Sequence, residues 1–383
     1  MENFQTILIL MVVVWIFGKI FRDLGLPVIF GELVGGIVVG PLVLNLVHPD
    51  SEVVKILAEL GIFFLMLHAG LETDPHKLFK SSKKSILIAL GGVLFPFLGG
   101  YITAQYFGQS VESSLFIGMG LSITAIAISV RLFKEYEIQK TQIAHITLGA
   151  DIIDDILALI LFSLVLNIAQ TGFVSWGDII VLLGKTIAFF SIVLFIGHKT
   201  SQHLPKFLKN KGFTLTLIVA LTLGWIAEWI GLHSIIGAFL AGLFIREEII
   251  DTKIFAKIED RIYGLSYSFL GPIFFASLAF HLDFQALVHA PWFLLAILLV
   301  ATAGKIIGAG GMALLQKMKW PDALVIGISM NSRGAVELII ASIGFSEGII
   351  DRNVFSILVL MAFVTTLISI FAMKPLVKLV SRD

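Results

Sequence analysis

Thirteen apolar runs divide this chain of 383 residues, and the joints between them are too short to hold a soluble domain. They lie at about 4–22, 26–47, 53–72, 84–107, 112–133, 142–169 and 177–198, then at 213–230, 232–249, 262–282, 292–316, 322–345 and 353–379. An α-helix needs about 20 residues to cross the roughly 30 Å hydrocarbon core of a bilayer. In lipid every backbone N–H and C=O must be satisfied within the protein, so runs this continuous belong to helices. Only 14% of residues are charged, against about 25% in soluble domains. The sequence therefore predicts an all-α polytopic membrane protein with about thirteen transmembrane helices. The first run, Ile7 to Phe21, follows no basic segment and precedes no Ala-x-Ala-like site, so it reads as a retained span rather than a cleaved signal. Net charge is zero and no basic block occurs, which points to the bilayer and not to nucleic acid as the partner. The absence of cysteine excludes disulfides, thiolate metal sites and a cysteine nucleophile.

Basic residues sort by joint. Of the 27 Lys and Arg, 22 follow odd-numbered spans or close the chain, among them Lys77, Lys80, Lys83, Lys84, Lys199, Lys206, Lys209 and Lys211. Joints after even-numbered spans hold only Lys55 and Arg352, while Lys185, Lys305 and Arg333 fall inside spans. The positive-inside rule then puts the C-terminus in the cytoplasm and the N-terminus outside, in a cytoplasmic (inner) membrane.

An internal repeat runs through the chain. Gly25-Leu26-Pro27-Val28-Ile29-Phe30-Gly31 recurs as Gly231-Leu232-His233-Ser234-Ile235-Ile236-Gly237, and Gly36 as Gly242. Ile62-Phe63-Phe64 returns as Ile273-Phe274-Phe275, and Leu115-Phe116-Ile117-Gly118 as Leu324-Val325-Ile326-Gly327. The offsets are 206, 211 and 209 residues, which correspond to seven spans. An odd number of spans inverts the second copy in the membrane, and inverted repeats are a transporter pattern with the binding site near mid-depth. The expected organisation is one transmembrane module over 1–383, with repeat 1 at 4–169, a linker helix at 177–198 and repeat 2 at 213–379.

The sixth span carries Asp151, Asp154 and Asp155 near its centre. A carboxylate at mid-depth costs on the order of 3 kcal/mol on insertion scales, and three offer no apolar area in return. They read as a polar, water-reachable ion site. Asp151 shares a face with Asp154 and Asp155, whereas Asp154 and Asp155 point about 100° apart. One carboxylate would face the ion path and another a buried cation. Lys305, mid-span in Gly304-Lys305-Ile306-Ile307-Gly308, is the expected cation; Lys185 lies nearer its span end, can snorkel, and reads as structural. The matching spans of the repeat are interrupted by polar residues, Gly118-Met119-Gly120-Leu121-Ser122-Ile123-Thr124-Ala125 in one and Gly327-Ile328-Ser329-Met330-Asn331-Ser332-Arg333-Gly334 in the other. Paired breaks at corresponding places point to discontinuous helices around an ion site. Unwound carbonyls and the Thr124 hydroxyl would supply neutral oxygens to a hard cation. Ser122, Ser129, Asn331 and Ser332 are accessory candidates. Arg333 and Glu337, four apart, are expected to neutralise each other locally. Glu32, Glu72, Glu228, His68, His145, His233 and His281 read mainly as packing, interhelical or interfacial groups, with pH sensing by a histidine as the alternative.

These pieces resemble the NapA-type sodium/proton antiporters of the bacterial cation/proton antiporter superfamily, GerN-like members included. The resemblance spans essentially the whole chain and is strongest at Gly149-Ala150…Ile153-Asp154-Asp155, Gly304-Lys305-Ile306-Ile307-Gly308 and Met330-Asn331-Ser332-Arg333-Gly334-Ala335-Val336-Glu337. It implies a NapA/NhaA-like fold with a dimerisation domain, a core domain with two crossing broken helices, a homodimer, and an elevator-like shift. By resemblance Asp155 binds sodium or protons in alternation, Asp154 pairs with Lys305, and no cofactor takes part besides the transported ions. Two departures stand out: Thr124-Ala125 replaces a common Thr-Ser, with Ser122 or Ser129 as possible compensation, and Asp151 is an additional acid. No soluble regulatory domain is expected in this chain.

The expected function is secondary active exchange of sodium (or lithium) for protons, electrogenic if the Asp154–Lys305 pair opens and closes during the cycle. Potassium/proton exchange is the nearest rival, because cavity size sets alkali selectivity. A channel or a sodium-coupled solute symporter of related architecture is further off. An intramembrane aspartyl protease, the enzyme alternative, needs aspartates on two helices and commonly Gly-x-Gly-Asp; here the acids share one helix and that motif does not occur.

Overall fold

The computed structural model describes residues 2–73, 82–171, 176–200, 204–248 and 252–380, and among them every regular element is a helix. In chain order these begin with α1 (Glu2–Asp23), α2 (Val28–Val39), α3 (Glu52–Glu72), α4 (Lys83–Tyr106), α5 (Val111–Ser122), α6 (Ile126–Glu135) and α7 (Gln142–Thr171). There follow α8 (Trp176–Thr200), α9 (Leu204–Trp229), α10 (Ser234–Glu248), α11 (Thr252–Leu265), α12 (Gly271–Ala279) and α13 (Phe284–His289). The last are α14 (Pro291–Lys305), α15 (Gly311–Leu315), α16 (Trp320–Ser329), α17 (Ala335–Ser346) and α18 (Arg352–Val377). Among the described residues, nine helical stretches are long and apolar enough to cross a membrane, and four apolar helices are shorter. Each of the thirteen expected spans overlaps one of these, and the twelfth, expected at 322–345, is divided between α16 and the shorter apolar helix α17. Lys77 and Lys80, used above for orientation, lie outside the described residues, as do the side chains of Lys206, Lys209 and Lys211.

Two span boundaries differ from expectation. The second span was read to residue 47, but α2 stops at Val39 because Pro41 follows Gly40 and disfavours helix at the residue before it. The tenth was read from 262, yet the apolar stretch is helical from Ile254. Its charged first turns are amphipathic, and periodicity there was masked by Lys257, Glu259, Asp260 and Arg261.

The chain forms two compact units, Met1–His76 with Gly177–Leu282 and Lys77–Trp176 with Asp283–Asp383. Each unit takes a segment from both halves of the sequence. In the first unit the repeated glycine motif has a mechanical cause. Gly25 and Gly231 turn the chain into α2 and α10 at φ of +76° and +88°, a region where a side chain is strained. Six residues on, Gly31 lies against the Phe17 carbonyl and Gly237 against that of Leu223, so that a Cβ at either would overlap backbone.

The second unit holds the interrupted spans. The α5 helix gives way at Ile123–Ala125 to extended backbone before α6 starts. The α16 helix stops at Ser329, and α17 begins after Gly334. The two gaps meet: Ala125 N–H donates to the Ser332 carbonyl at 3.0 Å, and the Thr124 hydroxyl to the Met330 carbonyl at 3.1 Å. Unwound segments thus satisfy one another, the condition for irregular backbone at membrane depth. An apolar core including Ile88, Phe133, Ile143, Val325 and Met373 packs within the same unit. The 30-residue α7 carries the three aspartates. The helix from Pro291 continues through a π turn, Ile306–Gly310, into α15, and that turn follows Lys305 directly. Single π turns inside α-helices recur at functional sites.

Candidate functional site

All the residues singled out at the aspartate cluster and the two breaks fall in the second unit. Lys305 is fully buried, and its three ammonium donors have three acceptors: the Ser122 carbonyl, the Thr124 hydroxyl at 2.7 Å and Asp154 Oδ1 at 3.1 Å. An ammonium group has three donors and no acceptor, so this set is complete. Asp154 Oδ2 has no partner among the described residues. Thr124, expected as an oxygen ligand, ties Lys305 to the Met330 carbonyl of the other break. Its hydrogen is committed and one lone pair is taken, which leaves one lone pair for an ion.

Arg333 does more than neutralise Glu337. Its guanidinium donates to the carbonyls of Gly120, Leu121 and Ile123 at the end of α5. With Lys305 on the Ser122 carbonyl, two buried cations cover four successive carbonyls. The last carbonyls of a helix have no intrahelical partner and carry the negative end of its dipole; a helix ending inside a membrane has no water to satisfy them. The expected local contact with Glu337 is present as an ion pair, Nε to Oε2 at 3.7 Å, without a hydrogen bond. Glu337 also occupies the first turn of α17, where the dipole favours an acid.

Of the three aspartates, Asp151 and Asp154 are 0% exposed and Asp155 is 8% exposed. Asp151 lies near enough to Ser129, Asp154 and Lys305 to interact with them electrostatically, and Ser129 accepts a hydrogen bond from Ser329 at 2.9 Å. Ser122 back-bonds to the Met119 carbonyl at 2.6 Å, whereas the Ser332 hydroxyl lies 2.8 Å from the Ser329 carbonyl and 3.4 Å from the Ala125 carbonyl of the other break. Asn331 donates to the Thr365 carbonyl at 3.3 Å and leaves its own oxygen without a partner among the described residues.

Sequence reasoning missed Thr365 and Thr366 of α18. The Thr366 hydroxyl accepts from Arg333 N–H at 2.8 Å and donates to the Arg333 carbonyl at 3.0 Å, which fixes the second break. The adjacent hydroxyls in an otherwise apolar run, Ala362-Phe363-Val364-Thr365-Thr366, were the available signal.

The remaining candidates lie apart from this set. Glu32 is buried in the first unit. His68 packs edge-on to Tyr267 at 5.2 Å, with Nδ1 3.8 Å from Glu72. His145 and Glu228 are exposed. His233 Nδ1 accepts from Ile235 N–H at 3.3 Å, and His281 Nδ1 lies 3.2 Å from the Ser277 carbonyl. Lys185 is exposed and reaches the Ile230 carbonyl at 3.5 Å.

The chain is similar to known proteins over nearly its whole length. The model of the sodium/hydrogen exchanger, transmembrane, family matches residues 7–379. The Na(+)/H(+)-K(+) antiporter GerN of Bacillus cereus is 31% identical over 373 residues, 96% of this chain and 94% of GerN. The Na(+)/H(+) antiporter of Enterococcus hirae is 31% identical over 383 residues, 99% of each. The solved structure of the sodium proton antiporter MjNhaP1 from Methanocaldococcus jannaschii superposes with a TM-score of 0.79, covering 97% of this chain and 96% of that one at 17% identity. That likeness establishes a polytopic antiporter fold, and with the family match over nearly the whole length it follows that this chain belongs to the transmembrane sodium/hydrogen exchanger family.

Proposed function

We propose that the chain exchanges sodium or lithium for protons across the cytoplasmic membrane, with Asp155 as the carboxylate that carries the alternating load. The observation behind this assignment is the difference between neighbours. Asp154 is sealed and bonded to Lys305, whereas Asp155 alone of the three aspartates keeps measurable exposure. A carboxylate out of water is costly unless it is protonated or paired with a cation. Asp155 therefore trades a proton for a dehydrated sodium ion and holds one at a time. Either load discharges the site and lets it pass the apolar barrier; the empty, charged site passes poorly. This produces coupling without any gate that recognises both ions. Unwound carbonyls around the crossing and the remaining lone pair of Thr124 supply neutral oxygens, the ligands a hard cation takes.

The sorting of basic residues supports a cytoplasmic C-terminus and an outer N-terminus. The resemblance to NapA-type antiporters supports a homodimer and an elevator-like movement of the site. Potassium is the second reading for the cargo, favoured by the printed name of the GerN relative, which includes K(+). Proteoliposomes carrying an internal pH dye, challenged in turn with sodium, lithium and potassium, test both. Dye dequenching by sodium and lithium without added organic solute is the expected result. A response to potassium alone transfers the assignment to the second reading, and a need for an organic solute removes exchange altogether.

The Asp154–Lys305 pair is the second charge device. Removing one partner of a buried pair leaves the other charge uncompensated, typically at about 3–5 kcal/mol. Lys305→Gln keeps some polar contact with Ser122 and Thr124 while removing the charge. It is expected to lower thermal stability in detergent and to reduce the current per sodium moved on a solid-supported membrane. Unchanged charge per cycle would exclude Lys305 from the coupled proton movement.

A further inference from the structure

We propose that the second unit carries a binding site for an anionic phospholipid, its acyl chain in a groove lined by Ile306, Ile307, Gly310, Leu314, Trp320 and Leu324 and its headgroup at Lys317 and Lys319. The groove has a volume of about 440 Å³ and its walls are almost wholly apolar. Gly311 presents no side chain to it, and a Cβ built there meets nothing within 4 Å; Gly310 lies against the Ala323 carbonyl, where a Cβ would overlap backbone. Ile307 and Trp320 are each 58% exposed and Leu314 is 49% exposed, so in a membrane these walls face lipid.

Depth and charge together select the occupant. The sequence puts Lys305 at mid-span, and helix continues ten residues to Leu315, about 15 Å at the usual rise, with Lys317 in the turn that follows. That distance is close to the thickness of one leaflet's hydrocarbon, about 15 Å. The groove therefore runs the length of an acyl chain, from the π turn after Lys305 to the interface. Trp320 stands at the interfacial end, the level tryptophan favours. The joint there carries Lys317 and Lys319, both exposed. Lys317 sits in a tight turn at φ +62°, three residues beyond the groove-lining Leu314, whose carbonyl accepts its N–H at 2.8 Å. Asp322 in the first turn of α16 interacts with Lys319 and offsets part of its charge. Each lysine near a bilayer surface strengthens binding of an anionic headgroup by roughly fivefold. A zwitterionic lipid satisfies the groove but not its mouth.

Native mass spectrometry of the full chain, released from detergent supplemented with phosphatidylglycerol or phosphatidylcholine, reads binding without any reference to transport. The native sequence is expected to retain phosphatidylglycerol preferentially. Gly311→Leu fills the groove into open space and should cut phosphatidylglycerol retention about tenfold. Lys317→Gln with Lys319→Gln should abolish the preference while leaving weak retention of both lipids. Inorganic phosphate should not displace the lipid; displacement would mean a free anion site instead. Equal retention of the two lipids by the native sequence, or full retention by Gly311→Leu, overturns the proposal.

Discussion

Asp155→Asn is expected to abolish sodium-driven proton release from proteoliposomes, with a residual rate indistinguishable from empty vesicles. Asparagine preserves size and nearly all packing, so the protein should purify with native thermal stability or slightly more. The substitution removes one group only, the acceptor that takes either a proton or a cation. Asp154 cannot replace it: it points about 100° away around the helix, is 0% exposed, and is bonded to Lys305. Because that pair is untouched, the variant also separates charge storage from ion loading. Asp151→Asn is the informative companion. Asp151 shares a helix face with Asp154 and Asp155 but is 0% exposed. Exchange that survives in Asp151→Asn and is lost in Asp155→Asn assigns the load to Asp155. Sodium-dependent dequenching by Asp155→Asn would refute the assignment, and loss in both variants would place the load on the shared face instead.

How far the sequence reached can be judged residue by residue. Spans were legible because lipid imposes one rule on every stretch of backbone, and the two breaks were legible because each half of the repeat showed a polar interruption at a matching place. Depth along the helices put Lys305 and the aspartates at one level, and the structure joins Lys305 to Asp154 at 3.1 Å. What local spacing could not convey is which distant group a side chain serves. Arg333 and Glu337, four apart, suggested a self-contained pair, yet the guanidinium spends its hydrogen bonds on carbonyls of α5, more than 200 residues earlier. Thr124 looked like a free hydroxyl beside a break, and its partners are Lys305 and Met330. Thr365 and Thr366 were passed over because hydroxyls in apolar helices commonly bond back within their own helix. Thr365 does so, to the Met361 carbonyl at 2.8 Å, while Thr366 serves the second break. In each case the missing information was a tertiary contact with no periodic trace.

The same contact makes Arg333 the position whose loss should cost the most stability. Arg333→Leu removes the donors to Gly120, Leu121 and Ile123 and leaves Glu337 buried, 2% exposed, without its ion-pair partner. Breaking a buried pair at one partner costs about 3–5 kcal/mol, and each orphaned buried carbonyl adds about 1–3 kcal/mol. The sum rivals the entire stability of an ordinary domain, roughly 5–15 kcal/mol, so Arg333→Leu is expected to fail to purify as a monodisperse species in mild detergent. Two further variants divide the cost. Arg333→Leu with Glu337→Gln removes the uncompensated charge but leaves the α5 carbonyls bare; it should recover part of the yield and little transport. Glu337→Gln alone keeps all three carbonyl bonds and should lower the melting temperature only modestly. If the double variant regained the full native melting temperature, the guanidinium would matter only as a counter-charge and the carbonyl contacts would be incidental. If it regained nothing beyond the single Arg333 variant, the reverse would hold. The expected intermediate value follows from Arg333 doing both jobs at once, closing the end of one broken helix while neutralising an acid in the first turn of the other.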